Sequence, residues 1–388
     1  MQLDFHYYAT YCAAYLAGYS HEECMEICYS AQLVDLCSKT WLTILRAPLA
    51  AATTQLQLEL LDSRTDPVGL QEITRIWASF HFLPYDLYAE VKKGYKHYKN
   101  KYRLICNANG SLVEDTVHLA KGKSLQAAGI AMHVLADTWA HKYFAGTPSL
   151  VINNTNYHFY ELLPVGEKEI EKQIVFGHSP VKNDDLDVRE FMGSLRRSSE
   201  NSIMNLGHGR AGHLPDYSFM KYKYMPAWAD YEEVVKDNPK DYYLAFAQMV
   251  CALKYLRGEQ TEFKRETYDT ESVGPLEDEI RGILKKRQLD ASADWKALGE
   301  RLSGCEIEDF ELDRHTEELL GADRSVRKET FLGRFIQAAM AHKSMVTEKI
   351  LMSGSRLAGL SIRYKDSGTK NIRALMKQRV PAEPEEDI

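Results

Sequence analysis

The residues best placed to do chemistry are His133, Asp137 and His141, in the stretch Met132-His-Val-Leu-Ala-Asp-Thr-Trp-Ala-His141. Spaced i, i+4 and i+8 on a helix, they fall within an arc of about 80°, each step rising about 6 Å. One metal ion cannot reach all three, because its bonds to nitrogen and oxygen are only about 2.0–2.2 Å long. Each neighbouring pair can chelate one ion, and the central carboxylate can bridge two. The flanking residues are apolar, so three bare polar groups on that face would be costly without partners. A buried hydrogen-bonded network is the alternative to a metal site.

Other segments supply residues of the same kind. His6 lies in Asp4-Phe-His6-Tyr-Tyr, Asp35 ends the apolar face of Ala31-Gln-Leu-Val-Asp35, and His81 is bracketed by Phe80 and Phe82. Each alone reads as a satisfied core residue. Together they suggest a nitrogen and oxygen site for more than one metal, a donor set that suits zinc, iron, nickel or manganese better than calcium or magnesium. Further candidates downstream are His158, Glu161, His178, His208, His213 and Asp216, of which the Gly-flanked His208 is preferred. Gly207-His-Gly-Arg-Ala-Gly212 formally matches a dinucleotide fingerprint, but no strand–turn–helix pattern surrounds it. Arg210, in the same loop, is a candidate for holding phosphate.

The order His6, Asp35, His81, His133-x3-Asp137-x3-His141 resembles the zinc-dependent phospholipase C and fungal single-strand nuclease superfamily. An uncharacterised bacterial branch of it shares Asp-Phe-His-Tyr-Tyr and Ala-Asp-Thr-Trp-Ala-His followed by Phe-x-Gly, here Ala136 to His141 and Phe144-Ala-Gly146. The resemblance covers roughly residues 1–230. It implies an all-α helical bundle with long loops, holding up to three zinc ions that cleave phosphate esters. It further implies that Asp35, His81 and His133 hold one metal and that Asp137 is shared between two. His6 would bind another, with the Met1 amine or Asp4 beside it, and His141 the remaining one with later ligands. Asp35 would orient the attacking water.

These residues have to be positioned by helices. Helical spacing and end signals predict Leu3–Ala17, a helix capped by Ser20 and Glu23 that runs to Leu36, then Thr40–Leu61, Leu70–Tyr98, Ser124–Phe144, Tyr242–Leu256 and Lys328–Leu351. Residues 146–228 read as long loops over a helical core, 258–279 as a linker or surface hairpin, and no segment reads as β-rich. The expected organisation is a metal-binding core over 1–235, a helical extension over 236–380 and a disordered acidic tail over 381–388. His21, His97, His315 and His342 lie among charged residues and read as solvated.

Composition sets the outer bounds. The chain has 388 residues, 45% hydrophobic and 27% charged, which suits a globular core and excludes collagen-like or wholly disordered chains. A net charge of −7 argues against bulk attraction to polyanions. Seven scattered cysteines without a CxxC pair read as reduced, mostly buried thiols. No apolar run is long enough to span a bilayer, no signal peptide is visible, and a cytoplasmic location is expected.

The expected function is a metal-dependent phosphoesterase with two or three zinc ions, manganese, iron or nickel being possible replacements. It would hydrolyse phosphodiesters in the manner of phospholipase C, with hydroxide held on the metal. A single-strand nuclease or nucleotide phosphohydrolase, and a non-enzymatic helical interaction module, are the alternatives. Tyr157, Phe159, Tyr160, Tyr217, Phe219, Tyr222 and Tyr224 are candidates to rim the site for lipid or nucleic acid. The basic stretch 356–379 is a candidate for peripheral lipid or partner contact. An HD-type phosphohydrolase, a zincin and a Walker loop each lack a required residue: no His-Asp dipeptide occurs, Met25 replaces the zincin's second His, and Val117 replaces the first Walker glycine.

Overall fold

The computed structural model describes residues 1–63, 67–90, 99, 101–156, 158–166, 168–178, 182–193 and 206–358. A π-helical stretch, Asp4–Ala9, runs straight into α1 (Thr10–Leu16). Ser20 opens α2 (His21–Leu33), and both halves of its capping box with Glu23 form. The expected helix over 40–61 is split into α3 (Lys39–Ile44) and α4 (Gln57–Ser63). Arg46 adopts a left-handed φ of 51° and Pro48 lacks the N–H a helix needs, so the chain turns there. Next, α5 (Pro67–Phe80) ends just before His81, short of the expected Tyr98. Residues 91–98, His97 among them, lie outside the described residues.

Helix α6 (Ser111–Ala120) leads to the central helix, α7 (Leu125–Ala140), opened by Ser124, whose hydroxyl accepts the Ala127 N–H. Every residue of α7 from Ala128 to Ala140 is buried, as expected of a helix that is apolar all round. Helix α2 crosses it so closely that a Cβ on Gly129 would lie 2.4 Å from the Ile27 carbonyl oxygen. The short α8 (Leu150–Asn153) comes next, and α9 (Asn238–Arg257), α10 (Glu277–Lys285), α11 (Ser292–Ser303), α12 (Thr316–Gly321) and α13 (Phe331–Met352) follow. One apolar cluster runs from Met1 to Ala358. Within it Phe5 meets Tyr242 and Trp295 edge-on, at 5.0 and 5.9 Å.

The all-α expectation is corrected. Helix accounts for 51% of the structure and strand for 10%, so the fold mixes α and β. The strands are β1 (Tyr160–Val165), β2 (Lys168–Gln173), β3 (Val175–Gly177), β4 (Glu190–Met192), β5 (Lys221–Tyr224) and β6 (Val234–Asp237). An antiparallel sheet has the order β2-β1-β5-β6, and β3 pairs with β4 in parallel. These strands occupy much of what the sequence suggested were long loops. Strand β2, Lys-Glu-Ile-Glu-Lys-Gln, is exposed along its whole length and carries no apolar alternation to betray it. Strand β1 contains Pro164, beyond the two residues that β5 pairs with, where a proline is tolerated.

The sheets enclose a second, smaller apolar cluster built on Phe144, Phe159, Phe191, Tyr222 and Tyr224. Most of the aromatics expected at a substrate rim are therefore core: Phe159, Tyr217, Tyr222 and Tyr224 are buried, and Phe219 packs against them. Tyr157 lies outside the described residues, as do the tail 381–388 and the basic stretch apart from Arg356. His342 is also corrected. It is buried and donates from Nε2 to the Ser79 carbonyl at 2.8 Å. All cysteines are free and, except for Cys305, buried. Among the described residues no helix is long and apolar enough to cross a membrane.

Gly129→Val is expected to destabilise the fold by about 3 kcal/mol, because the new methyls meet backbone that cannot yield. A urea midpoint equal to that of the parent would remove the α2–α7 crossing as a constraint.

Candidate metal centre

Helix α7 presents His133, Asp137 and the following His141 toward three other segments: the π-helical N-terminus with His6, the end of α2 with Asp35, and the end of α5 with His81. The loop before β5 adds His208, His213 and Asp216. Asp137 is the meeting point. Its Oδ1 lies 2.9 Å from the Met1 amino nitrogen and 3.1 Å from His6 Nε2. Its Oδ2 lies 3.2 Å from both His81 Nδ1 and His133 Nε2. Asp35 faces the same nitrogens from further out, 3.7 Å from His81 Nδ1, 3.9 Å from His133 Nε2 and 4.0 Å from His6 Nε2.

A second carboxylate, Asp216, organises the other end. Its Oδ1 is 3.2 Å from His141 Nε2 and 3.3 Å from the Met1 amine, and its Oδ2 is 3.3 Å from His213 Nδ1 and 3.7 Å from His208 Nε2. Three donor groups result: His6, His133 and Asp137; Asp35, His81 and His133; and His141, His208 and Asp216, each with donor atoms within 4.8 Å of one another. Such gaps compare with the spacing of about 3.4 Å between donors that share one tetrahedral ion at about 2.1 Å.

Backbone carbonyls set the tautomers. His81 donates from Nε2 to the Thr53 carbonyl at 3.1 Å, His141 from Nδ1 to the His81 carbonyl at 2.7 Å, and His208 from Nδ1 to the Gly212 carbonyl at 2.6 Å. Each ring therefore turns a lone pair inward, the arrangement a metal ligand needs. These inward nitrogens face carboxylate oxygens and neighbouring imidazoles, with His81 Nδ1 3.2 Å from Asp137 Oδ2 and 3.3 Å from His133 Nε2. Both His6 nitrogens and His133 Nδ1 are buried without a hydrogen bond. His6 and His133 are themselves stacked, 3.8 Å between ring centres. Unpaired buried donors and acceptors of this number need compensation, and the donor set fits a transition metal such as zinc.

The charges agree with the geometry. Burial opposes ionisation of Asp137, but His141, the Met1 amine, His133 and His6 hold its carboxyl well below the usual range. Asp216 is likewise depressed against burial, by the Met1 amine, His208, His141 and His213. Burial pushes His6 and His208 down to about 4, so both are neutral at pH 7. The Met1 amine goes the other way, to about 11, because Asp137, Asp216 and Asp35 outweigh its burial. The hydrogen bond to Asp216 raises His213.

The remaining candidates lie elsewhere. Asp4 accepts the Phe5 and Ala291 N–H groups at 2.7 and 3.2 Å, and burial raises its carboxyl to about 6. His158 pairs with Glu233 at 2.8 Å. Glu161 is buried between Arg189 and Arg287. His178 and Arg210 line a small cavity beside Phe159 and Phe176. The groups that sequence reasoning missed are the carbonyls of Thr53 and Gly212, which carry no side-chain signal. Gly207 offered an indirect one: its φ is +54° and a Cβ there would lie 2.0 Å from the Phe82 ring, so only glycine brings His208 so close to that ring.

Acidification tests the neutral histidines. Between pH 6.5 and 4 the unfolded chain takes up protons that native His6 and His208 refuse, so stability falls as pH falls; Asp4, protonated below about 6 only when folded, opposes this. His342, also pushed down to about 4 by burial, adds a third group, and three against Asp4 predict that the thermal midpoint of chelator-treated protein drops between pH 7 and 4.5, more steeply in Asp4→Asn. A flat or rising curve would contradict the assignment.

A family of unknown function, DUF6765, matches residues 1–350. No curated protein and no solved structure matches the chain.

Proposed function

The chain belongs to the DUF6765 family, and for it we propose a metal-dependent phosphoesterase that hydrolyses phosphodiesters in the manner of phospholipase C. The observation that carries this reading is the set of three adjoining donor groups around Asp137 and Asp216, with three of the histidines aimed inward by carbonyls. Nitrogen and carboxylate donors favour zinc, with manganese, iron or nickel as alternatives. Asp35, His81 and His133 would hold one ion with Asp137, and His6 a second, joined by the Met1 amine once it has given up the proton that Asp137 and Asp216 now hold on it. His141, His208 and Asp216 would hold a third. Bound ions of this kind supply an activated water near neutral pH and neutralise charge on phosphoryl and leaving oxygens.

The chain's own residues do the rest. Asp137 keeps two donor groups in register, one on each carboxylate oxygen. Asp35 is the outlet of the cluster, its side chain 28% exposed where Asp137 and Asp216 are at most 8%. Its carboxylate would orient a water and accept its proton. Leu36, the chain neighbour of Asp35, is exposed as well. Burial of Phe159, Tyr217, Tyr222 and Tyr224, which would otherwise be available to stack on bases, favours a lipid over a nucleotide.

Elemental analysis of purified protein is expected to find two or three transition-metal equivalents per chain. Asp137→Asn should lose more than one of them. Hydrolysis of phospholipid micelles should fall at least about a hundredfold with a chelator and return with zinc or manganese. Faster turnover of single-stranded DNA, RNA or nucleotides than of lipid would favour the nuclease or nucleotide phosphohydrolase. Zero metal after incubation with zinc and manganese would leave a non-enzymatic module.

A further inference from the structure

A cavity of about 460 Å³ lies between α6, the first turns of α7 and α13. None of its lining residues belongs to the three donor groups. Its buried floor is made of Ala120, Ile130 and Ala131 with Thr116 and His342, whose hydroxyl and Nε2 are bonded to backbone carbonyls, and Leu119, Ala127 and Ala338 flank it half-buried. The volume lies within the range of small-molecule pockets, about 300–1,000 Å³.

The mouth has the opposite character. Lys123, Lys328 and Arg334 line it against a single acid, Glu329. Lys328 is 3.9 Å from Glu329, while Lys123 and Arg334 are exposed and make no ion pair among the described residues. The N-terminus of α7, capped by Ser124, opens onto the same mouth and adds the positive end of a helix dipole. An apolar cavity under a cationic rim is complementary to a molecule with an anionic head and an apolar tail. At about 30 Å³ per water-sized group, the cavity holds about fifteen such groups, which one twelve-carbon chain with its head fills.

We propose that the cavity between α6, α7 and α13 is a binding site for a single-tailed anionic amphiphile, its chain on the alanine-lined floor and its head between Lys123, Lys328 and Arg334. The site is separate from the metal centre and does not rest on the phosphoesterase reading. A carboxylate and a phosphate head share the required chemistry.

Calorimetric titration of the full chain with dodecanoate, below its micelle concentration, tests this. Saturable binding of one equivalent is expected, and at least tenfold weaker binding in the double variant Lys123→Glu, Arg334→Glu. Ala338→Trp, which fills the cavity, should abolish binding while circular dichroism and metal content stay unchanged. Dodecyl phosphate run alongside identifies the preferred head, either preference supporting the site. Equal affinity for uncharged dodecanol would overturn the role of the cations. Undiminished binding in Ala338→Trp, or no saturable binding in the parent, would overturn the site itself. Should Ala338→Trp fail to fold, the charge-reversal variant, altered only at exposed residues, still decides.

Discussion

A carboxylate with 1% of its side chain exposed, Asp137, sits on a helix that is apolar all round, and a charge there must be compensated. Burying an ionised carboxylate without partners costs more than a fold of this size has to spare. Four groups surround it, the N-terminal amine and His6 from one segment, His81 from the end of α5 and His133 from one turn earlier on α7, all within 3.2 Å of its two oxygens. The packing of α1, α2 and α5 around α7 can be understood as the scaffold for that convergence.

Convergence alone does not make a ligand set. An imidazole with a free choice of tautomer would turn an N–H toward the carboxylate and close a simple hydrogen bond. Here the carbonyls of Thr53, His81 and Gly212 take up the N–H of His81, His141 and His208. Their other nitrogens are thereby turned toward the carboxylates of Asp137 and Asp216, an arrangement that a cation between them would relieve. The His81 segment is the hinge of this device, since its side chain faces Asp137 while its carbonyl orients His141.

The outer elements stabilise what the centre needs. The α9–α11 region packs Tyr242 and Trp295 against Phe5, next to His6. On α13, Lys343 donates to the Ala52 carbonyl and His342 to that of Ser79, tying down the chain beside Thr53 and His81. The loop carrying His208 and Asp216 is tied to α9, where Asn238 donates to the Leu214 and Tyr217 carbonyls at 2.8 Å each. Residues remote in sequence thus restrain both halves of the donor set.

The helical spacing of His133, Asp137 and His141, the Ser20 capping box, the buried thiols and the candidacy of His6, Asp35, His81, His208 and Asp216 were all legible in the sequence by itself. Each is a short-range pattern or a residue type, and such patterns survive without coordinates. Only the tertiary structure decided that Asp216 joins His141 and the Met1 amine while Asp4 turns away to Ala291, because hydrogen-bond partners tens or hundreds of residues apart leave no local mark. It also decided the sheets, since the exposed Lys-Glu-Ile-Glu-Lys-Gln strand is held by ladder hydrogen bonds between backbones rather than by an alternating apolar face. The tautomers came last of all, set by carbonyl oxygens that every residue possesses and no sequence distinguishes.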